Sequence, residues 1–132
     1  MDQLFQHAAI THGITVRVAV NFLPEQSHIE AGKWFWVYHI RIENGSADTV
    51  QLVSRHWRIT DGRGMINLVD GDGVVGEQPV LNPGGSFTYS SGCPLATPFG
   101  TMEGTYRMAT ADGEQFDARV APFTLSEPYT VH

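Results

Sequence analysis

Residues 14–22, ITVRVAVNF, alternate strictly: Ile14, Val16, Val18, Val20 and Phe22 share one side, and Thr15, Arg17, Ala19 and Asn21 the other. Period two is the signature of a half-buried strand. No window of the chain carries a helical stripe, and glycines and prolines punctuate the apolar runs. Those two facts restrict the chain to an all-β architecture.

The remaining runs read the same way. Trp34–Glu43 (WFWVYHIRIE) places Trp34, Trp36, Tyr38, Ile40 and Ile42 on one face, with Phe35 and Val37 on the other, so its start is expected to be covered on both sides. In VQLVSRHWRIT (50–60), Val50 and Leu52 share one phase and Val53, Trp57 and Ile59 the other, which predicts a bulge or a crossing between sheets. Asp61-Gly62-Arg63-Gly64 predicts a hairpin returning through Met65–Val69. A short strand is expected at Phe87–Ser90, a turn-rich stretch at 91–104, and a strand at Thr105–Thr110 with Tyr106 and Met108 inward. Asp112-Gly113 predicts a second hairpin, leading to Phe116, Ala118 and Val120. Pro122 then breaks the phase before Phe123 and Leu125, which suits an edge or a bulge. Seven to eight short antiparallel strands make an immunoglobulin or fibronectin type III-like β-sandwich. The 132 residues form one domain, with residues 1–13 read as a flexible N-terminal segment.

The charge balance excludes some partners. Eight Lys and Arg against fourteen Asp and Glu leave a net charge of −6 with histidine neutral. Such a field does not draw in phosphate backbones, so nucleic acid is not an expected partner. The start, MDQLFQHAAITHG, lacks the basic and apolar regions of a signal peptide, and no run is long enough to span a membrane. With a single cysteine, Cys93, a reducing cytoplasmic setting is expected.

The string Gly71-Asp72-Gly73-Val74-Val75-Gly76 is a GxGxxG. A dinucleotide fingerprint requires a helix after it, to hold the pyrophosphate at its N-terminus. Glu77-Gln78-Pro79-Val80-Leu81-Asn82-Pro83-Gly84-Gly85 leaves no room for a helix. No Lys-Ser or Lys-Thr follows, so a phosphate-binding P-loop is excluded too. Two readings remain. The glycines supply positive φ in a tight loop between strands. Alternatively, consecutive amides over 71–76 form an anion nest, with Arg55, Arg58 and Arg63 assisting against the repulsion of Asp70, Asp72 and Glu77.

No catalytic set emerges. The histidines His7, His12, His28, His39, His56 and His132 show no HxH spacing, although His39 and His56 fall in the middles of two strands that could be neighbours. Hydrogen-bonded sheet-surface roles are expected, with no metal and no cofactor. The carboxylates Glu25, Asp48, Asp61, Asp112 and Glu114 are scattered through loops, and Ser90 and Ser91 have no nucleophile-elbow context. Pro94 denies Cys93 activation by a following helix, so a partly buried, inert thiol is expected. The cluster Trp34, Phe35, Trp36, Tyr38 and Trp57 is mostly core, with its second face available to a partner.

The runs LVSRHWRITDGRG (52–64), GDGVVGEQPVLNPGGSFTYSSG (71–92) and TPFGTMEGTYRM (97–108), together with NFLPEQS (21–27) and the ending from Phe123 to His132, resemble the bacterial ApaG family. The resemblance is collinear over residues 14–132, and the glycine block is its most specific part. It departs at Ser27-His28-Ile29, where relatives often carry proline after the serine. The resemblance implies a fibronectin type III-like sandwich in a bacterial cytosolic protein. Similar domains serve as interaction modules in larger eukaryotic proteins, an F-box protein among them. It also implies a link to cobalt resistance and magnesium efflux, and a gene beside that of a diadenosine tetraphosphate hydrolase. No enzyme activity comes with the family. Its GxGxxG, discussed as a nucleotide or pyrophosphate site, falls on Gly71, Gly73 and Gly76. The expectation is a non-catalytic binding module whose partner is another protein. The alternative is a sensor of pyrophosphate or a nucleotide polyphosphate.

Overall fold

A computed structural model describes residues 5–128; residues 1–4 of the expected N-terminal segment, and the tail 129–132 with His132, lie outside it. Nine strands are present among the described residues: β1 (His7–Thr11), β2 (Ile14–Phe22), β3 (Trp34–Asn44), β4 (Val50–Asp61), β5 (Ile66–Asp72), β6 (Val80–Leu81), β7 (Ser86–Leu95), β8 (Phe99–Thr110) and β9 (Gln115–Ser126). All pairings are antiparallel. One sheet runs β1-β2-β3-β7 and the other β5-β4-β8-β9, with β6 lying beyond β5 along the same edge of β4. The two sheets form the expected immunoglobulin-like sandwich. Among the described residues the only helical pieces are single 3-10 turns at Pro24–Gln26 and Ile29–Ala31, so no described helix could cross a membrane.

The core follows the alternation. Val16 and Val18 of β2, Trp36, Ile40 and Ile42 of β3, Tyr106 and Met108 of β8, and Phe123 and Leu125 of β9 are all buried. Each such aliphatic or aromatic side chain contributes roughly 1.5–3 kcal/mol by leaving water. Tyr89 of β7 and Tyr106 of β8 join the sheets through a 2.5 Å hydroxyl–hydroxyl hydrogen bond. Burial pushes the pKa of both phenols up and keeps them neutral.

The phase change in β4 is a bulge. The register with β8 slips between Leu52 and Ser54, with Val53 as the extra residue. Val50 and Leu52 therefore face the core before it, and Trp57 after it. A second slip, between Met102 and Gly104 of β8, is matched by an extra residue of β9 around Pro122, a proline on an edge strand and at a bulge together.

Two expectations need correction. The segment 1–13 is not flexible over its described part beyond Gln6, because β1 pairs with β2 from His7↔Val18 to Thr11↔Ile14. Its short, weakly apolar alternation hides it from period analysis. The stretch 91–104 is largely strand, since β7 runs to Leu95 and β8 begins at Phe99. Its glycines are there because neighbours occupy the Cβ space: the Phe35 ring over Gly92, and the His56 carbonyl and Trp57 against Gly104. The fold class is as expected, with β1 and the two-residue β6 joining the strands read from the sequence.

Candidate functional site

Each glycine of the GxGxxG has a local job. The Arg55 side chain lies across Gly71, where a Cβ would sit 2.9 Å from the guanidinium carbon. Gly73 takes φ +61, and the Glu77 carbonyl occupies the space of its missing Cβ. Val75 and Gly76, at φ +44 and +81, are the central residues of a two-residue turn closed by Val74 N–H to Glu77 O (2.8 Å) and Glu77 N–H to Val74 O (2.9 Å). Positive φ at both centres is the type I′ pattern. The Val74 side chain is fully buried and pins the loop to the core.

The loop also completes β4. A bulge leaves a backbone carbonyl outside the ladder. Here Val53 O accepts the Gly73 N–H (2.8 Å) and the Gln78 side-chain amide (2.9 Å), and Leu52 N–H donates to Pro79 O (3.0 Å). Gly71 and Asp72 belong to the β4–β5 ladder. Of the amides between 73 and 77, those of Gly73, Val74 and Glu77 are committed to carbonyls, and Val75 and Gly76 remain at the turn's tip.

Of the three arginines expected to assist, the fold brings one to the loop. Arg55 Nη1 donates to Asp72 O (3.0 Å) and Gly73 O (2.9 Å). Arg58 faces the opposite side of the sheet, where its nearest carboxylate is Glu103 at 3.9 Å. Arg63 sits in the turn at the far end of the β4–β5 hairpin, where Asp61 Oδ1 accepts the amides of Arg63 (2.8 Å) and Met65 (3.0 Å). At about 3.3 Å per strand residue, that turn is roughly 20 Å from Arg55.

Behind this edge lies a cleft of about 500 Å³, open between the β4–β5 side of one sheet and β7 of the other. Trp57, Ile59, Val69 and Met102 form one wall; Tyr38, Ser91, Cys93 and Leu95 form the other. Arg55 is at one end and Asp61 at the other. Trp57 packs edge-on against Tyr38, Tyr106 and Phe123, and its indole N–H is buried without an acceptor. Burial pushes the Tyr38 hydroxyl up, while a hydrogen bond with Ser91 acts the other way. Burial also pushes the Cys93 thiol up to about 11, so it is not a nucleophile at neutral pH. Sequence reasoning named Arg55, Trp57, Tyr38 and Cys93 one at a time. It missed Asn67, Val69, Leu95 and Met102, because only the topology sets β5 and β7 side by side.

The edge strand β5 is the other distinctive surface. No strand pairs with its outer side among the described residues, and Met65 (68%), Ile66 (50%) and Leu68 (67%) are exposed along it. Of the histidines, His39 and His56 have side-chain hydrogen bonds, while His7 and His12 pack against the rings of Phe123 and Phe116. His39 and His56 are in different sheets and not on neighbouring strands. His39 contacts Ser90 (2.6 Å) and Asn21 (3.4 Å); His56 Nδ1–H donates to Asp70 (2.6 Å), with Ser54 at its other nitrogen (3.1 Å). Among the described residues, no three His, Cys, Asp or Glu side chains are grouped to hold a metal.

Fold and surfaces together define a fibronectin type III-like β-sandwich with an exposed apolar edge at β5, a cleft behind it and a glycine loop closing a bulge. A sequence profile of the ApaG domain matches residues 24–110. The Protein ApaG of Methylobacterium sp. strain 4-46 is 55% identical over 93% of this chain and 95% of its own, and that of Bradyrhizobium sp. strain ORS 278 is 55% identical over 92% and 94%. The crystal structure of a Bordetella pertussis protein described as ApaA superimposes with a TM-score of 0.85 at 42% identity, covering 96% of this chain and all of that one. The chain belongs to the ApaG family.

Proposed function

We propose that the chain is a non-catalytic, cytoplasmic binding module that takes a protein partner along the free edge of β5. The observation that carries this is the composition of that edge. Strand edges in soluble proteins are blunted by lysine, proline or a bulge. The first half of the strand, Ile66-Asn67-Leu68-Val69, has none of these and is uncharged, with Asp70 and Asp72 confined to the half beside the glycine loop, and it presents Ile66 and Leu68 to solvent. Such an edge suits an extended segment added as a further strand, with main-chain hydrogen bonds giving affinity and side-chain contacts giving specificity. The family's link to cobalt and magnesium would, on this reading, be exerted through the partner.

The alternative, a sensor of pyrophosphate or a nucleotide polyphosphate at Gly71–Gly76, has less support. Two uncommitted amides, of Val75 and Gly76, would have to hold a multiply charged anion between Asp72 and Glu77.

The test is photo-crosslinking in living bacterial cells from a benzophenone amino acid placed at Leu68, with the same group at Arg41 on the other sheet as control. A discrete protein adduct from position 68 alone, abolished by Ile66→Lys, is the expected result. Equal adducts from both positions, or none from 68, would refute edge recognition.

A further inference from the structure

We propose that the cleft between β5 and β7 is a binding site for a small organic anion with an apolar body, its carboxylate held by Arg55. This site is separate from the glycine loop's turn and does not depend on a protein partner at β5.

The argument begins with Arg55. Its side chain is half-buried, yet no carboxylate lies within ion-pair distance of it among the described residues. A guanidinium partly removed from water without a counter-charge is costly unless something else answers it. Two backbone carbonyls, Asp72 O and Gly73 O, engage Nη1 only. They fix the plane of the group and leave the Nε and Nη2 hydrogens uncommitted. An anchored guanidinium with spare donors is pre-organised for a carboxylate, which it can bind through two parallel hydrogen bonds.

The surroundings specify the rest of the ligand. Tyr38, Trp57, Val69 and Met102 offer an apolar wall, and about 500 Å³ falls within the range of small-molecule sites. Ser91 adds a hydroxyl and Asn67 an amide at the rim. Asp61 is the other charged lining residue, but it belongs to the opposite end, where it holds the hairpin turn. The acidic side chains Asp70 and Asp72 are on the alternate, outward positions of β5, while Val69 faces the cleft. On a chain of net charge −6, the inner end of this cleft is therefore locally cationic. Pyrophosphate, all charge and no apolar surface, would leave the wall uncovered. A flat aromatic or branched aliphatic acid uses both features.

The test is an amide and indole NMR titration with 2-naphthoate and, separately, with the neutral isostere 2-naphthamide. Saturable shifts at the Arg55 side chain, the Trp57 indole and the amides of Val69 and Ser91 are expected. The acid should bind at least tenfold more tightly than the amide, and the preference should shrink as salt rises. Arg55→Met, once its spectrum shows it folded, should bring the acid's affinity down to that of the amide. If that variant does not fold, because Arg55 also holds the glycine loop, the acid–amide comparison in the unmodified chain decides. Equal affinities, an absence of shifts, or shifts confined to the Val75–Gly76 turn would each overturn the proposal.

Discussion

Val75→Asn should stabilise the protein. Val75 is a β-branched residue at φ +44, held there by the two hydrogen bonds between Val74 and Glu77. The left-handed region costs an L-residue roughly 1–2 kcal/mol, and a β-branched one is least suited to it. Asparagine is among the residues that tolerate it, and Asn-Gly is the favoured pair for a type I′ turn. Against this stands lost apolar contact. Val75 is 56% exposed, so less than half of a valine's burial, up to about 1 kcal/mol, is forfeited. The net gain should be about 0.5–1 kcal/mol. With an unfolding entropy near 2.1 cal/mol/K per residue, that is a rise in Tm of about 2–4 °C. The assay is thermal unfolding followed by circular dichroism, with guanidinium unfolding as a second measure. Val75→Thr is the control, because it keeps the branch and the strain while giving up the same contact. It should not stabilise. If both variants shift Tm equally, or if Asn lowers it, the strain argument is wrong, and with it the reading of the glycine block as turn architecture.

Three further outcomes follow from buried or paired groups. Asn44 is buried, with its amide donating to Asp48 O (2.7 Å) and Leu81 O (2.9 Å) and its Oδ1 accepting from Ser46. Asn44→Ala should cost about 2–4 kcal/mol in denaturant unfolding by leaving those groups unanswered. The Arg41 hydrogen bond, with Arg17 adding to it, holds the Glu43 carboxyl below the usual carboxylate range. A depressed folded-state pKa contributes stability above the unfolded value that is lost as pH falls through the folded one. Glu43→Gln should therefore lower the denaturant midpoint at pH 7, with the gap closing below pH 4, and a carbon-detected titration should place the Glu43 carboxyl below the ordinary glutamate value. Cys93, raised to about 11, should be inert to a thiol-disulfide reagent at pH 8 in the folded protein and release one equivalent of chromophore in guanidinium.

Much of the sandwich is written in local pattern. Period two in ITVRVAVNF and WFWVYHIRIE, the phase slip at Val53, and Pro122 all predict what they produce, because each acts within a few residues. What escaped local reading depends on contacts across the sandwich. Gly92 and Gly104 read as turn residues, yet they lie inside strands, because the ring of Phe35 and the backbone of His56 occupy their Cβ space. The glycine block was legible as β-loop and not helix. Its purpose, answering the bulged Val53 carbonyl, was not, since Val53 and Gly73 are twenty positions apart. Arg55, Arg58 and Arg63 looked equivalent in the sequence. The bulge fixes the phase that turns Arg55 inward and Arg58 out.

The first and last described strands meet in the fold. β9 packs against β1 and β2, and the Arg119 amide donates to Thr11 Oγ1 across 108 positions. During synthesis at about 5–20 residues per second, the first two strands wait on the order of ten seconds for the last one to be made. Over that interval the apolar face of β2 lacks β9, a strand that packs against it. The sandwich closes only once β9 has been made, so a ribosome stalled before β9 leaves a nascent chain that chaperones must hold and proteases can reach.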